Sequence, residues 1–257
     1  MAGFRLFLKS GHTPTLFAAF FYLMFSFVIW VMNGAMAPYI SEQFQLTAAQ
    51  KGLLLSIPIV AGAVMRFPLG LLAQYVGRKT ATLVELALIT LTMSFGYFFV
   101  HTYDDLLKMA LLLGVAGASF GVAMSLGSGW YPPKYKGLAM GLVGAGNAGT
   151  ALAALLAPPL AEAYGWQSVY GFAALASFVP MAVVIFMAKE PPDRDVHAGM
   201  REHLACLLEG DGWVFSLIYV VTFGGFIGIV TFLPTYYYDQ FGVSKVQAGQ
   251  LTMLAAL

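Results

Sequence analysis

Seven apolar runs of twenty or more residues follow one another along the chain, near 16 to 40, 52 to 76, 80 to 100, 106 to 130, 137 to 162, 166 to 188 and 213 to 236, and an eighth begins near Val246. Inside hydrocarbon no water satisfies a backbone amide, so segments of this length cross as α-helices. At roughly 1.5 Å per residue each run is long enough for a core of ~30 Å. Composition agrees. Hydrophobic residues make up 60% of the chain and charged residues 10%, against roughly 25% charged in soluble domains. The expected fold class is an all-α polytopic membrane protein.

Several function classes fall away on residue counts. The single Cys206 leaves no disulfide framework. His12, His101, His197 and His203 lie in links or in the amino-terminal tail, which removes the paired intramembrane ligands of a haem subunit. No metal or cofactor is expected. A net charge of +1 gives no basic field for nucleic acid. At the amino terminus, Arg5 and Lys9 before an apolar run ending in Ala35-Met36-Ala37 imitate a signal peptide. The stretch Leu16 to Ile40 exceeds a signal core of ~7 to 15 residues, and Pro38 obstructs the mock cleavage site, so this is read as the first span.

Short turns join the first six runs, whereas residues 189–211 form a longer polar link. The expected organisation is a six-helix bundle over 1–188, a central loop over 189–212, and the start of a second bundle over 213–257. Nine cationic residues (Arg5, Lys9, Arg78, Lys79, Lys134, Lys136, Lys189, Arg194, Arg201) lie on the side of the amino terminus, and three (Lys51, Lys108, Lys245) on the other. By the positive-inside rule the amino terminus and the central link are expected in the cytoplasm.

Arg66 is the remaining cation, and it sits in the middle of the second run. A charge at that depth costs on the order of 2.5 kcal/mol or more, so it is expected to face a protein interior, a cavity or an ion path. Gly62, Arg66 and Gly70 share one helix face, which small neighbours let approach another helix. The second run carries no Asp or Glu, leaving the guanidinium to backbone carbonyls, a carboxylate elsewhere, or an arriving anion.

Depth brings other residues to the same level. Counting from the cytoplasmic end of each run, Arg66, Phe120, Asn147 and Phe223 all lie about 15 Å in, near the midplane where secondary transporters hold substrate. Tyr219 and Phe223 are i, i+4 neighbours on one face. In the fifth run, Gly137, Gly141, Ala145, Gly149 and Ala153 form an i+4 stripe expected to pack closely on another helix. Gly144, Gly146 and Gly149 spell G-x-G-x-x-G, but inside an apolar helix this carries no nucleotide-binding meaning. Asn33 and Asn147 fit interhelical hydrogen bonding, and Glu85 is expected near the interface with partial solvation or a basic partner.

Taken together these stretches resemble the nitrate/nitrite porter branch of the major facilitator superfamily, from about Phe25 to the last residue. Gly70-Leu-Leu-Ala-Gln74-Tyr-Val-Gly77-Arg78-Lys79 is similar to the superfamily's loop between its second and third helices. Gly144-Ala-Gly146-Asn147-Ala-Gly149-Thr is similar to the branch's signature in the fifth helix. Arg66-Phe-Pro-Leu-Gly70 and Phe232-Leu-Pro-Thr-Tyr236 also resemble that branch.

The resemblance implies a secondary transporter of nitrate and/or nitrite, working by nitrate/nitrite exchange or proton-coupled uptake in a bacterial cytoplasmic (inner) membrane. Its partners would be nitrate, nitrite, protons and the lipid bilayer. Arg66 would bind the anion, with Asn147 beside it, Phe120 and Phe223 on its two faces, and Tyr219 as hydroxyl donor. Gly141, Gly144, Gly146 and Gly149 would pack helices closely. Gln74 stands where the family's loop has an acidic residue, which removes a charge contact from the motif Gly70, Gln74, Gly77, Arg78, Lys79. The family has twelve helices, so a chain ending at Leu257 is expected to be an amino-terminal half with the beginning of the second, and the alternatives are a transporter of another small anion or a transport-incompetent fragment.

Overall fold

The computed structural model describes residues 2–193, 205 and 208–257; the rest of the central link, including His197, His203 and Cys206, lies outside the described residues. After a short α1 (Ala2–Lys9), seven apolar helices run Thr13–Phe44, Ala48–Val76, Arg78–Phe98, Tyr103–Ser128, Pro133–Tyr164, Trp166–Met187 and Gly210–Phe241. They lie within a few residues of the expected bounds. Among the described residues no strand occurs.

Five of the seven are interrupted. The first is α2 (Thr13–Trp30) and α3 (Met32–Phe44), and the second and third are the continuous α4 (Ala48–Val76) and α5 (Arg78–Phe98). The fourth is α6 (Tyr103–Gly117) and α7 (Ser119–Ser128). The fifth comprises α8 (Pro133–Gly144), a 3-10 turn at Ala145–Ala148, and α9 (Gly149–Tyr164); the sixth is α10 (Trp166–Ala176) and α11 (Phe178–Met187). The seventh comprises α12 (Gly210–Tyr219), a π-turn at Val220–Gly224, and α13 (Gly225–Phe241), and α14 (Lys245–Ala256) follows.

The side on which the amino terminus lies is called near, the other far. Three helices entering from the far side, α4, α6 and α14, begin with reciprocal capping boxes, Thr47 with Gln50, Thr102 with Asp105, and Ser244 with Gln247. These satisfy amide groups that a helix start leaves unpaired.

Within the first six spans α2 is central: Ala18, Ala19, Tyr22, Leu23 and Phe27 are fully buried. Where α4 meets α6 the backbones almost touch, since a Cβ on Gly114 would lie 2.3 Å from that of Ala61. The fifth span departs from its sequence pattern. A Cβ on Gly149 would lie 2.1 Å from the Met24 carbonyl oxygen, one on Gly146 would lie 3.0 Å from Leu23 Cβ, and Ala153 is buried. Gly144 has one neighbour, Met124 Cε at 3.2 Å, whereas Gly137 and Gly141 have no atom within 4 Å and Ala145 is exposed. The i+4 stripe is therefore not one packed face. The 3-10 turn advances the chain by three residues per revolution, so the series before it emerges on a different side after it.

The last two helices close against the first six at the far side. A Cβ on Gly34 would lie 2.7 Å from the Thr231 carbonyl oxygen, and one on Gly249 would lie 2.4 Å from that of Ala154. Two ion pairs cross the same boundary, Lys51 to Asp239 at 2.9 Å and Lys245 to Glu42. Correspondingly α13 buries Ile227, Val230, Thr231 and Pro234, while no residue of α12 is buried.

Candidate functional site

Arg66 lies midway along α4, half-buried, between Pro58 and Pro68 of the same helix. Its Nε donates to the Gly117 carbonyl at 3.3 Å and Nη1 donates to the Tyr219 hydroxyl at 3.2 Å. Gly117 ends α6, so the interruption of the fourth span supplies one of the acceptors. Around the guanidinium stand four rings, with Cζ at 5.5 Å from the centroid of Phe223, 5.6 Å from Tyr219, and 5.9 Å from both Phe120 and Trp30. Cation–π attraction of this kind strengthens as water is excluded. Among the described residues no carboxylate pairs with Arg66.

The rings also touch one another. Tyr219 and Phe223 stack at 4.9 Å and 15°, on either end of the π-turn's first revolution, and Phe120 meets Phe223 at 5.6 Å and 42°. A flat ion between two rings needs a separation of about 7 Å, twice a van der Waals contact. In this conformation Phe120 and Phe223 leave no such slot. The open room beside the guanidinium is instead a cavity of about 300 Å³ lined by Arg66, Phe67, Gly70, Leu71 and Gln74.

Four of the five expected anion-site residues, Arg66, Phe120, Tyr219 and Phe223, thus come together. Asn147 makes no hydrogen bond to any of them. It sits half-buried on the 3-10 turn, which packs against α2, and its Oδ1 is buried with no partner among the described residues. The sequence reading missed Trp30 and Gly117. An aromatic ring and a glycine in an apolar helix are ordinary packing residues, and nothing in their spacing marks them out.

Residues 16–257 match the family model of the Major Facilitator Superfamily. The chain belongs to that superfamily. It is 29% identical over 240 residues to a protein named nitrite extrusion protein from Bacillus subtilis (strain 168), covering 90% of this chain and 58% of that one. It is 32% identical over 232 residues to a probable nitrate transporter NarT from Staphylococcus haemolyticus (strain JCSC1435), covering 88% and 59%. Among solved structures, a bacterial homologue of the human lysosomal transporter Spinster, in an inward-facing and unoccupied conformation, matches with TM-score 0.75 at 20% identity, covering 95% of this chain and 59% of that one. That likeness shows the fold. This facilitator chain spans about 58% of the length of the curated relatives it matches, and it is a multi-pass membrane protein.

The superfamily loop motif is held from a place the sequence did not suggest. Gly77 has φ 98°, a conformation that favours glycine, and a Cβ there would lie 2.9 Å from the Glu190 carboxylate. Glu190 accepts the backbone amides of Arg78 at 2.7 Å and Lys79 at 2.9 Å, capping the start of α5. Arg78 pairs with Asp193 and donates to the Ser125 carbonyl at 3.2 Å, while Lys79 Nζ donates to the Ile185 carbonyl at 2.9 Å. With Gln74 in the motif, the carboxylate partner of Arg78 comes from beyond the sixth span. Partial burial raises the Asp193 pKa, but Arg78 and Lys136 outweigh it and hold the carboxyl below its usual range. Gly70, the first residue of the motif, has no atom within 4 Å to meet a Cβ.

Glu85 is a correction. It is fully buried, its partner is the hydroxyl of Tyr22, and its Oε1 has no partner among the described residues. The side chain turns inward toward α2 rather than to the interface, so neither solvent nor a cation satisfies it. Asn33 is structural: its Oδ1 accepts from the Tyr170 hydroxyl at 2.6 Å in the core.

Proposed function

We propose that this chain carries the anion site of a secondary transporter for nitrate and nitrite, with its amino terminus in the cytoplasm of a bacterial cell and its helices in the cytoplasmic membrane. The observation that carries the proposal is a half-buried guanidinium ringed by aromatic side chains, with no carboxylate paired to it among the described residues. Nitrate is planar, singly charged and weakly hydrated, and a guanidinium fork matches it better than a point charge does. The names of the two curated relatives point to the same pair of anions.

The anion would approach through the cavity flanked by Arg66 and Gln74 and bind Nη2, which donates to no described residue. Tyr219 would then share its hydroxyl between Arg66 and the anion edge. Asn147 would reach the anion after a movement of the fifth span relative to α4. Residues 1–188 would move as one bundle against the bundle that begins at 213, and residues 189–212 would join them. Exchange of nitrate for nitrite is the proposed drive, because among the described residues no Asp, Glu or His contacts Arg66 or its rings.

Nitrate titrations by calorimetry on the purified protein, with Arg66→Lys as comparison, test the assignment. Binding should weaken by at least about tenfold in the variant, because Lys keeps the charge but loses the planar fork. Unchanged nitrate affinity in Arg66→Lys overturns it.

A further inference from the structure

Trp30 closes α2 and is 4% exposed, although it faces a charged group. Its indole is fixed on three sides. Nε1 donates to the Pro58 carbonyl at 2.8 Å, two turns beyond Arg66 on the same helix. Its edges fill a slot that exists because two residues lack side chains: a Cβ on Gly62 would lie 3.1 Å from Nε1, and one on Gly117 would lie 2.4 Å from Cε2 and Nε1. The third side is Phe223, stacked at 6.4 Å and 21°. Phe27 supports it edge-on at 5.4 Å.

Every one of these contacts lies on the far side of the guanidinium or level with it. Gly62 and Pro58 are one and two turns beyond Arg66 along α4, and Phe223 is one turn beyond Tyr219. Gly117 has two duties. Its carbonyl accepts from Arg66 Nε and its Cα packs on the indole, so a displacement of the ring is passed directly to the acceptor. The ring cannot retreat without breaking the Pro58 bond or separating two helices.

We propose that Trp30 positions Arg66 through Gly117 and is the rigid far wall of the anion site, limiting it to flat oxyanions. The proposal rests on the reading of Arg66 as the anion ligand. A pyramidal oxyanion stands taller over a guanidinium than a planar one, and a wall fixed on three sides has no room to give.

The test uses the whole chain in detergent, with nitrate, nitrite and chlorate titrated by calorimetry and melting temperature recorded in parallel. Trp30→Ala should weaken nitrate binding about tenfold, from loss of a desolvated cation–π partner, and shift the nitrate-to-chlorate preference toward chlorate. Gly117→Ala should weaken nitrate binding while Trp30→Phe, which lacks the atoms nearest Gly117, restores most of the loss in the double variant. Equal losses for nitrate and chlorate in Trp30→Ala, or a Gly117→Ala defect that the double variant does not relieve, overturn the proposal.

A second readout does not depend on the substrate. Phenylglyoxal labelling of Arg66, followed by peptide mass spectrometry, should quicken several-fold in Trp30→Ala as the guanidinium is uncovered. An unchanged labelling rate overturns the positioning role. If the wild type binds none of the three anions yet Arg66 labelling quickens, the substrate reading fails and the positioning role stands.

Discussion

On the far side of its π-turn the seventh span is fastened to the first six helices by a glycine contact to α3 and the Lys51 to Asp239 ion pair; on the near side none of its described residues is buried, although Tyr219 at its end accepts from Arg66. Phe215 is 70% exposed and Leu217 66%, whereas Ile227 and Val230 are almost completely covered. Both halves are equally apolar in sequence, so hydrophobicity does not decide which half is held. Backbone proximity does. Glycines at 34 and 249 let helices meet at carbonyl distance, and the charges of Lys51, Asp239, Lys245 and Glu42 sit just beyond them. The aromatic cluster around Arg66 lies at the boundary between the fastened half and the exposed one.

That contrast can be broken most strongly at the glycine contacts. Gly249→Leu should cost on the order of 1–3 kcal/mol through overpacking against the Ala154 carbonyl. Spin labels at Gln45 and Gln240 should then report a longer, broader far-side distance. An unaltered distribution would mean that α14 does not hold the far side closed.

On the near side the first six spans are held by carboxylates of the link that follows them, and Glu190→Ala should lower stability by about 1 kcal/mol through the lost helix cap. Thermal unfolding measures this. Asp193 adds a pH signature. Because its pKa is depressed, its contribution is present above the ordinary carboxylate pKa of about 3.9 and is lost as pH falls below it. Asp193→Asn should therefore flatten the acid side of the stability profile.

Smaller effects are expected at the far-side ion pairs. Lys51→Ala and Lys245→Ala should each change stability by roughly 0–1 kcal/mol, less at high salt. Smallest of all is Leu217→Ala in the exposed half, expected within about 0.5 kcal/mol. A large loss there would show that α12 is covered in solution.

The helices were legible because lipid leaves a backbone few alternatives, and Arg66 because a charge at that depth demands an explanation. Phe120 and Phe223 follow from counting residues inward at a fixed rise and Tyr219 from its i, i+4 spacing to Phe223, but the same count also includes Asn147, because depth does not say which way a side chain faces. Other features had no such signal. Trp30 and Gly117 are chemically ordinary in an apolar helix, and their roles depend on a helix interruption that spacing does not announce. Glu190 and Asp193 lie next to a polar link where acidic residues are common, and their targets are more than a hundred residues away. Within the described residues the glycine stripe is closely packed only from the 3-10 turn onward, where the period changes from 3.6 to three. Glu85 was placed by distance along its helix, which says nothing about the direction the side chain takes.

The π-turn at Val220–Gly224 holds one residue more per revolution than the helix on either side. Because the extra residue is taken up within one wide revolution, α12 and α13 keep nearly the rotational phase of one continuous helix. Deleting Thr222 would therefore let the segment close as ordinary helix with little turning of α12 against α13. The widening marks a place where the seventh span can take up or give back one residue without unwinding, at the junction of its held and its exposed halves.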